Sequence, residues 1–355
     1  MKRAHFIGFD AHCATTEIAI GGESGPPIKV WSCPTTIPKL VEAIESVPRP
    51  RHLVMEEGPL ADWISRNLRS HVDALQVCNP RRNHLIAKES DKDDPIDAGK
   101  LVVLYRGGYT KPVHHPESAE QMAFKRLVSA YQDRVGHRVS EALRIIWLLR
   151  GYGVMVKEGG FASAEDRGEL VKRLPSEARA SSTLKVYWRG YDSAVEQQEA
   201  MRKELIRWAR KIEPIRRFIE VPGVHWVRGA IFYAYVDTPW RFKSKCALWR
   251  YLGVGLERRG SGSGPMRVGV YPFANRRLKC MILGAARSAI ASGRNRFSDQ
   301  YERWLDCGLS PRIARRNVAR SLAATLWGMW KSGSVYDPKW VGMTVTAASA
   351  GQGAS

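Results

Sequence analysis

The first eighty residues alternate between short apolar runs and turn-forming residues, and the period of each run names its element. AHFIGFD (4–10) is an apolar run ending in a carboxylate and predicts a buried strand. TTEIAIGG (15–22) alternates, which predicts a second strand after a short turn at His12–Ala14. IKVWSC (28–33) predicts a third, so the three form an antiparallel meander. Ile37–Val47 has helical spacing, LVMEE (53–57) is an apolar strand ending in acid, and Leu60–Arg69 is helical. ALQVC (74–78) predicts another strand, and Asp94–Tyr105 another helix.

That order of elements, β-β-β-α-β-α-β-α, is the ribonuclease-H-like arrangement, an α/β domain with a mixed sheet flanked by helices. From Glu117 to Leu149 the chain has no Pro and one Gly, and apolar residues recur near helical spacing, which predicts a long helix. GYGVMVKEGG ends it, and a second long helix is predicted over Ser182–Ile212. The pair reads as a coiled-coil-like helical hairpin with Lys and Arg outward: a spacer, or an RNA-binding or oligomerising arm. FIEVPGVHWVRGAIFYAYV (218–236) places a Pro-Gly turn between two apolar helices. It resembles a helix-hairpin-helix, whose turn N–H groups meet a phosphate, with His225 where a second turn glycine is usual. Helices follow at Lys245–Leu252, Asn275–Ser292, Arg294–Cys307 and Pro311–Lys331. The reading divides the chain into an α/β domain (1–112), a helical arm (113–213), a mostly α domain (214–338) and a small polar tail (339–355) without fixed structure. No internal repeat is present.

Composition adds a partner. The chain has 355 residues, 44% of them hydrophobic, which is enough for two or three domains with real cores. The formal net charge is +21, a balance that calls for a polyanion. From Arg241 to Arg320 there are 18 Lys and Arg against 4 Asp and Glu, interleaved with Trp and Phe. That pattern points to a nucleic-acid surface. Trp226, Trp240, Trp249, Trp304, Trp327 and Trp330 are expected mostly as core anchors. No pair among the six cysteines has CxxC spacing, which argues against a zinc ribbon. No run of eighteen apolar residues occurs, so a cytoplasmic location without a membrane span is expected.

The chemistry is carried by acids. Asp10 ends the first strand and Glu56 ends LVMEE; a carboxylate beside an apolar run is costly without a partner. SDKDDPIDAGKL supplies Asp94 and Asp97 at i, i+3, one turn apart on one face of a helix start. Helix capping is the plainer role for an acid there. Four acids converging from two strand ends and a helix would repel unless Mg²⁺, or Mn²⁺, neutralised them. Two such metals clamp the attacking and leaving oxygens of a phosphodiester. Glu57, Asp91 and Asp93 are neighbouring alternatives.

FIGFDAH, MEEGP, NPRRNHLIAK and KDDPIDAGKL resemble the N-terminal half of DEDD-type insertion-sequence transposases, the insertion sequence 110 family. FKRLVSAYQDRVGHRV, the VPGV turn and WRFKSKCALWRYLGVGLERRGSGSG extend the resemblance over residues 4 to 338. It implies a RuvC-like catalytic domain that holds metal through Asp10, Glu56, Asp94 and Asp97. The family's acid-x-Gly-Pro pattern selects Glu56 over Glu57, and its Lys-x-Asp-x-x-Asp-Ala pattern selects Asp94 over Asp93.

RRGSGSGPMR (258–267) is a basic Gly/Ser loop, by composition a flexible connector or a phosphate-contacting loop. A serine hydroxyl can attack a phosphodiester if a base or metal activates it and cations steady the charge. Arg258, Arg259, Arg267, Arg276 and Arg277 are candidate cations. The resemblance implies a serine nucleophile at Ser261, with Ser263 as the alternative. The basic segment usual in the family is replaced here by YPFAN (271–275). It further implies a structured noncoding RNA, the bridge RNA, that pairs with donor and target DNA, and assembly up to a tetramer. In that assembly the acids of one protomer meet the serine of another. Arg81 and Arg82, and Arg312, Arg315, Arg316 and Arg320, are expected at nucleic acid. Two other readings compete with this RNA-guided recombinase. One is a structure-specific nuclease, similar to Holliday-junction resolvases, that uses activated water; the other is a non-catalytic nucleic-acid scaffold.

Overall fold

The computed structural model describes residues 3–80, 94–115, 118–157, 159–180, 182–259, 267–271 and 274–338. The chain separates into two compact units, Met1–Glu117 and Ser118–Ser355.

In the first unit, β1 (His5–Ala11), β2 (Thr15–Gly21) and β3 (Lys29–Pro34) form the expected antiparallel meander. β4 (Arg51–Glu56) and β5 (Ala74–Cys78) add in parallel, giving the order β3-β2-β1-β4-β5. Side chains alternate across each strand, so the sheet has two apolar faces. Ile7, Phe9, Leu53 and Met55 face α1 (Ile37–Glu45) and α2 (Ala61–Leu68), where Leu40, Ile44, Ile64 and Leu68 are buried. Each fully buried side chain of this size contributes about 1.5–3 kcal/mol. The other face carries Phe6, Ala19, Val54 and Cys78 against α3 (Asp94–Arg106). Ala98, Leu101 and Val102 make the buried stripe of α3, at i, i+3, i+4 spacing. Gly8 lets α3 come close, because a Cβ there would overlap the Ala98 carbonyl oxygen. Gly21, which pairs with Phe6, lies under Val102, where a Cβ would stand 2.7 Å from Val102 Cγ1. Moving from Gly8 back to Phe6 therefore advances α3 from Ala98 to Val102. The helix runs antiparallel to β1, with its N-terminus over the C-terminal ends of β1 and β4.

The second unit begins with α4 (Ala119–Gly151), whose Ser118 cap accepts a hydrogen bond from the Gln121 N–H at 3.4 Å. Its partner is α7 (Thr183–Ala209). Phe124 and Val128 pack near Leu205 and Ala209, while Ile145 and Leu149 pack near Leu184 and Tyr191, so the two helices are antiparallel. Between them lie α5 (Ala164–Lys172) and α6 (Ser176–Ala180), which the sequence pattern did not predict. Phe161, Leu170 and Leu174 close a small separate core at this tip. Arg167 ties it to α7 through paired hydrogen bonds of 2.7 and 2.5 Å to Asp192. The base of the hairpin is continuous with the core of the helices that follow, so the arm is divided between two cores.

Those helices are α8 (Glu213–Phe218), α9 (Trp226–Val236), α10 (Lys245–Tyr251), α11 (Arg276–Ala291), α12 (Arg296–Asp306) and α13 (Pro311–Ser332). Trp330 anchors them, edge-on to Phe218 at 5.6 Å and stacked on Tyr233 at 5.0 Å. A two-stranded hairpin, β6 (Leu256–Arg259) and β7 (Arg267–Val270), separates α10 from α11. The Pro-Gly turn does sit between two helices, but its role differs from the one expected. Gly223 is buried, with φ +81°, and a Cβ there would overlap the Ala285 carbonyl and lie 2.6 Å from the Ala289 nitrogen. The turn glycine brings the backbone against α11, and is not presented at the surface as a phosphate-binding hairpin requires. The tail expected from residue 339 lies outside the described residues.

Candidate active site and nucleic-acid surface

The sheet register sets the first two acids side by side. Phe9 of β1 pairs with Met55 of β4, so Asp10 and Glu56 are the next positions on adjacent parallel strands. Alternation puts Asp10 on the face of Gly8 and Glu56 on the face of Val54, the face covered by α3. Glu57 is exposed on the opposite parity, and its N–H donates to the Cys78 carbonyl at 2.9 Å. The pleat thus distinguishes two adjacent glutamates that residue type alone does not.

α3 brings its start to the same edge. Asp97 sits one turn before Leu101, which packs with Val54 and Cys78. Its carboxylate is 46% exposed and stands 3.8 Å from Lys100 Nζ. Asp94 is the first residue of α3, one turn from Asp97; its side chain is outside the described ones. Asp10 is 25% exposed, and its Oδ2 lies 3.2 Å from His12 Nε2. Among the described residues no group of three or more His, Cys, Asp or Glu is close enough to hold a metal ion. The donor set itself, carboxylate oxygens from two strand ends and one helix start, suits a hard divalent cation.

One acid was missed. Asp10 pairs across the sheet with Glu17 of β2, so both side chains share the α3 face, with Cβ atoms about 4.5–5.5 Å apart. The signal was present in TTEIAIGG: a glutamate at a position whose parity matches Ala19, which packs on Ala98.

The serine loop falls between β6 and β7 in the sequence, and residues 260–266 lie outside the described ones. Arg259 pairs with Arg267 at the outer end of the β6–β7 hairpin, and Arg258 with Val268, so three candidate arginines flank the loop; their side chains are not among those described. Ser261 and Ser263 lie outside the described residues, as do Arg81, Arg82, Asp91 and Asp93. Arg276, the first residue of α11, is exposed. Arg277, expected at nucleic acid, is engaged internally. Its Nη1 donates to Ser129 Oγ (2.6 Å) and to the Tyr235 hydroxyl (2.8 Å), and its Nη2 to Asp133 Oδ1 (2.7 Å). Arg320 is anchored at one end only to backbone and amide oxygens, its Nε donating to the Val254 carbonyl at 2.6 Å and its Nη1 to Asn317 Oδ1 at 3.0 Å. Arg315 and Arg316 are half-buried on α13 and have no carboxylate partner among the described residues. Trp327 and Trp330 are core anchors as expected, but Trp240 is 71% exposed, with Lys331 Nζ 5.0 Å from its ring. Among the described residues no helix is long and apolar enough to cross a membrane.

Strand-end acids thus lie in one unit and a hairpin carrying arginines in the other. Residues 215–302, which include the hairpin, match the family described as Transposase IS116/IS110/IS902. That supports the resemblance carried by the sequence motifs. Over 241 residues the chain is 23% identical to the transposase for insertion sequence element IS1111A of Coxiella burnetii (strain RSA 493 / Nine Mile phase I). The match covers 66% of this chain and 64% of that protein, so the chain spans less than two thirds of the relative's length.

Proposed function

We propose that the protein is the transposase of an insertion sequence, a recombinase that cuts and rejoins DNA. The observation that carries the reading is the adjacency of Asp10 and Glu56 at one sheet edge, under the start of α3, in a chain whose other unit matches a transposase family. Asp10, Glu56, Asp94 and Asp97 would hold Mg²⁺ in a ribonuclease-H-like domain, and the ion would supply positive charge to the reacting phosphate.

The hydroxyl of Ser261 is the proposed nucleophile. Its oxygen bonds to phosphorus, the bond to the leaving sugar oxygen breaks, and that oxygen takes up a proton. Arg259 and Arg267, paired at the end of the hairpin, supply charge that can steady the phosphate oxygens. A noncoding bridge RNA is proposed to choose donor and target by base pairing, leaving the protein to read backbone and shape.

The test is adduct formation. Full-length protein is incubated with labelled donor DNA and Mg²⁺, and covalent complexes are resolved under denaturing conditions. Ser261→Ala is expected to abolish the adduct and Ser263→Ala to retain it. Full strand exchange by Ser261→Ala, with no adduct in the unaltered protein, would replace the serine mechanism by activated water. RNA that copurifies is sequenced in parallel; a discrete species with two internal loops complementary to DNA supports guidance.

A further inference from the structure

We propose that Arg312, Arg316 and Arg320 form a track for the phosphodiester backbone of one DNA strand, running along α13 to the base of the β6–β7 hairpin. The three recur at i, i+4 and i+8, so they share one face of α13 and are spread over about 12 Å. At about 3.4 Å of axis per nucleotide, that length matches roughly three to four phosphates of one strand.

Their positive charge is not offset by nearby acids among the described residues. Among the described residues none of the three has a carboxylate partner. Burial, and then the charge of the preceding arginine, lowers the pKa of both Arg316 and Arg320. Stacked like charges at i, i+4 destabilise a helix unless something opposes them. Some arginines of the helical arm are neutralised locally instead: Arg202 pairs with Glu199, Arg207 with Glu204 and Arg167 with Asp192.

The track has an open end and a fixed end. Arg312 is exposed and Arg316 half-buried. Arg320 lies over Trp249 at 6.0 Å, and its Nε reaches the Val254 carbonyl, two residues before β6. Its Nη2 is buried with no hydrogen-bond partner among the described residues. A strand following these guanidinium groups arrives at the base of the β6–β7 hairpin. The choice of DNA over RNA rests on the serine reading above; the phosphate track itself does not.

The experiment measures binding apart from chemistry. Full-length protein is titrated with fluorescein-labelled single-stranded DNA, and with RNA of the same sequence, in EDTA over a range of salt. For DNA, Arg312→Ala/Arg316→Ala is expected to reduce the slope of log K against log salt by about 1.4, at about 0.7 per phosphate contact. Arg312→Ala alone, at an exposed position, reduces it by about 0.7 and guards against misfolding of the double variant. Arg202→Ala/Arg207→Ala removes two charges elsewhere and leaves the slope in place. An unchanged slope in the Arg312 variants, or a reduction with RNA only, overturns the proposal. Ser261→Ala keeps the full slope in this assay. Loss of the adduct mechanism with a reduced slope in the Arg312 variants therefore removes the serine reading and leaves the track.

Discussion

Asp10 and Glu56 stand on adjacent parallel strands, one position beyond the Phe9–Met55 pair, and both face α3. Neither needs a long or adjustable segment to reach the other. Each is positioned by hydrogen-bonded backbone in the middle of a five-stranded sheet, the kind of rigid support a reactive constellation requires.

Replacing Asp10 by Asn or Glu56 by Gln is expected to lower DNA cleavage by about 10²-fold or more, because loss of even an outer partner of a metal ligand costs 10–100-fold. Glu57→Ala, on the exposed parity, should change cleavage little and stability by no more than about 0.5 kcal/mol. Single-turnover cleavage at saturating protein separates these cases. Equal losses at Glu56 and Glu57 would refute the assignment by pleat.

Gly8→Ala tests how α3 is held. The new methyl meets the Ala98 carbonyl, so helix or strand must shift, at a cost of about 1–3 kcal/mol. Thermal unfolding should show the loss, and cleavage should fall with it, since the same displacement moves Asp97. A variant as stable and active as the parent would mean that α3 does not rest on β1.

Arg277→Ala should reduce stability by about 1–2 kcal/mol, as it removes bonds to Ser129 and Tyr235 and a largely screened pair with Asp133. The salt dependence of DNA binding should be unchanged. Urea melts and binding titrations check the two halves, and a reduced salt slope with unaltered stability would return Arg277 to the DNA surface.

Acid should loosen the tip of the helical arm. The hydrogen bonds from Arg167 hold the Asp192 carboxyl below its usual range, against a smaller opposing effect of burial. A carboxyl depressed in the folded state stabilises above its unfolded pKa, about 3.9, and that contribution is lost as pH falls through the folded value. Hydrogen exchange of α5 amides should therefore accelerate below about pH 4. Asp192→Asn should be faster at neutral pH and lack this acid step; an identical pH profile in both proteins would dismiss the pair as the cause.

The sequence alone determined most of the elements. Apolar runs and, in β2, alternation located β1 to β5, helical spacing located α1 to α4 and α7 to α13, and strand-end carboxylates pointed to Asp10 and Glu56, while β6 and β7 were not expected. These signals are local: side-chain period and the cost of burying a charge act within a few residues. What only the tertiary structure decided depends on partners far along the chain. Strand pairing put Glu17 beside Asp10 and separated Glu56 from Glu57. The crossing of α3 over Gly8 brought Asp97 to the same edge, and the close approach of α11 turned Gly223 from a surface hairpin into a packing contact. The short helices α5 and α6 were hidden because their apolar residues gain burial only against the long hairpin. Arginines that look alike in sequence were also sorted in three dimensions. Arg277 found Asp133, while among the described residues Arg312 and Arg316 found no acid, because hydrogen-bond partners are set by which helices meet and not by residue type.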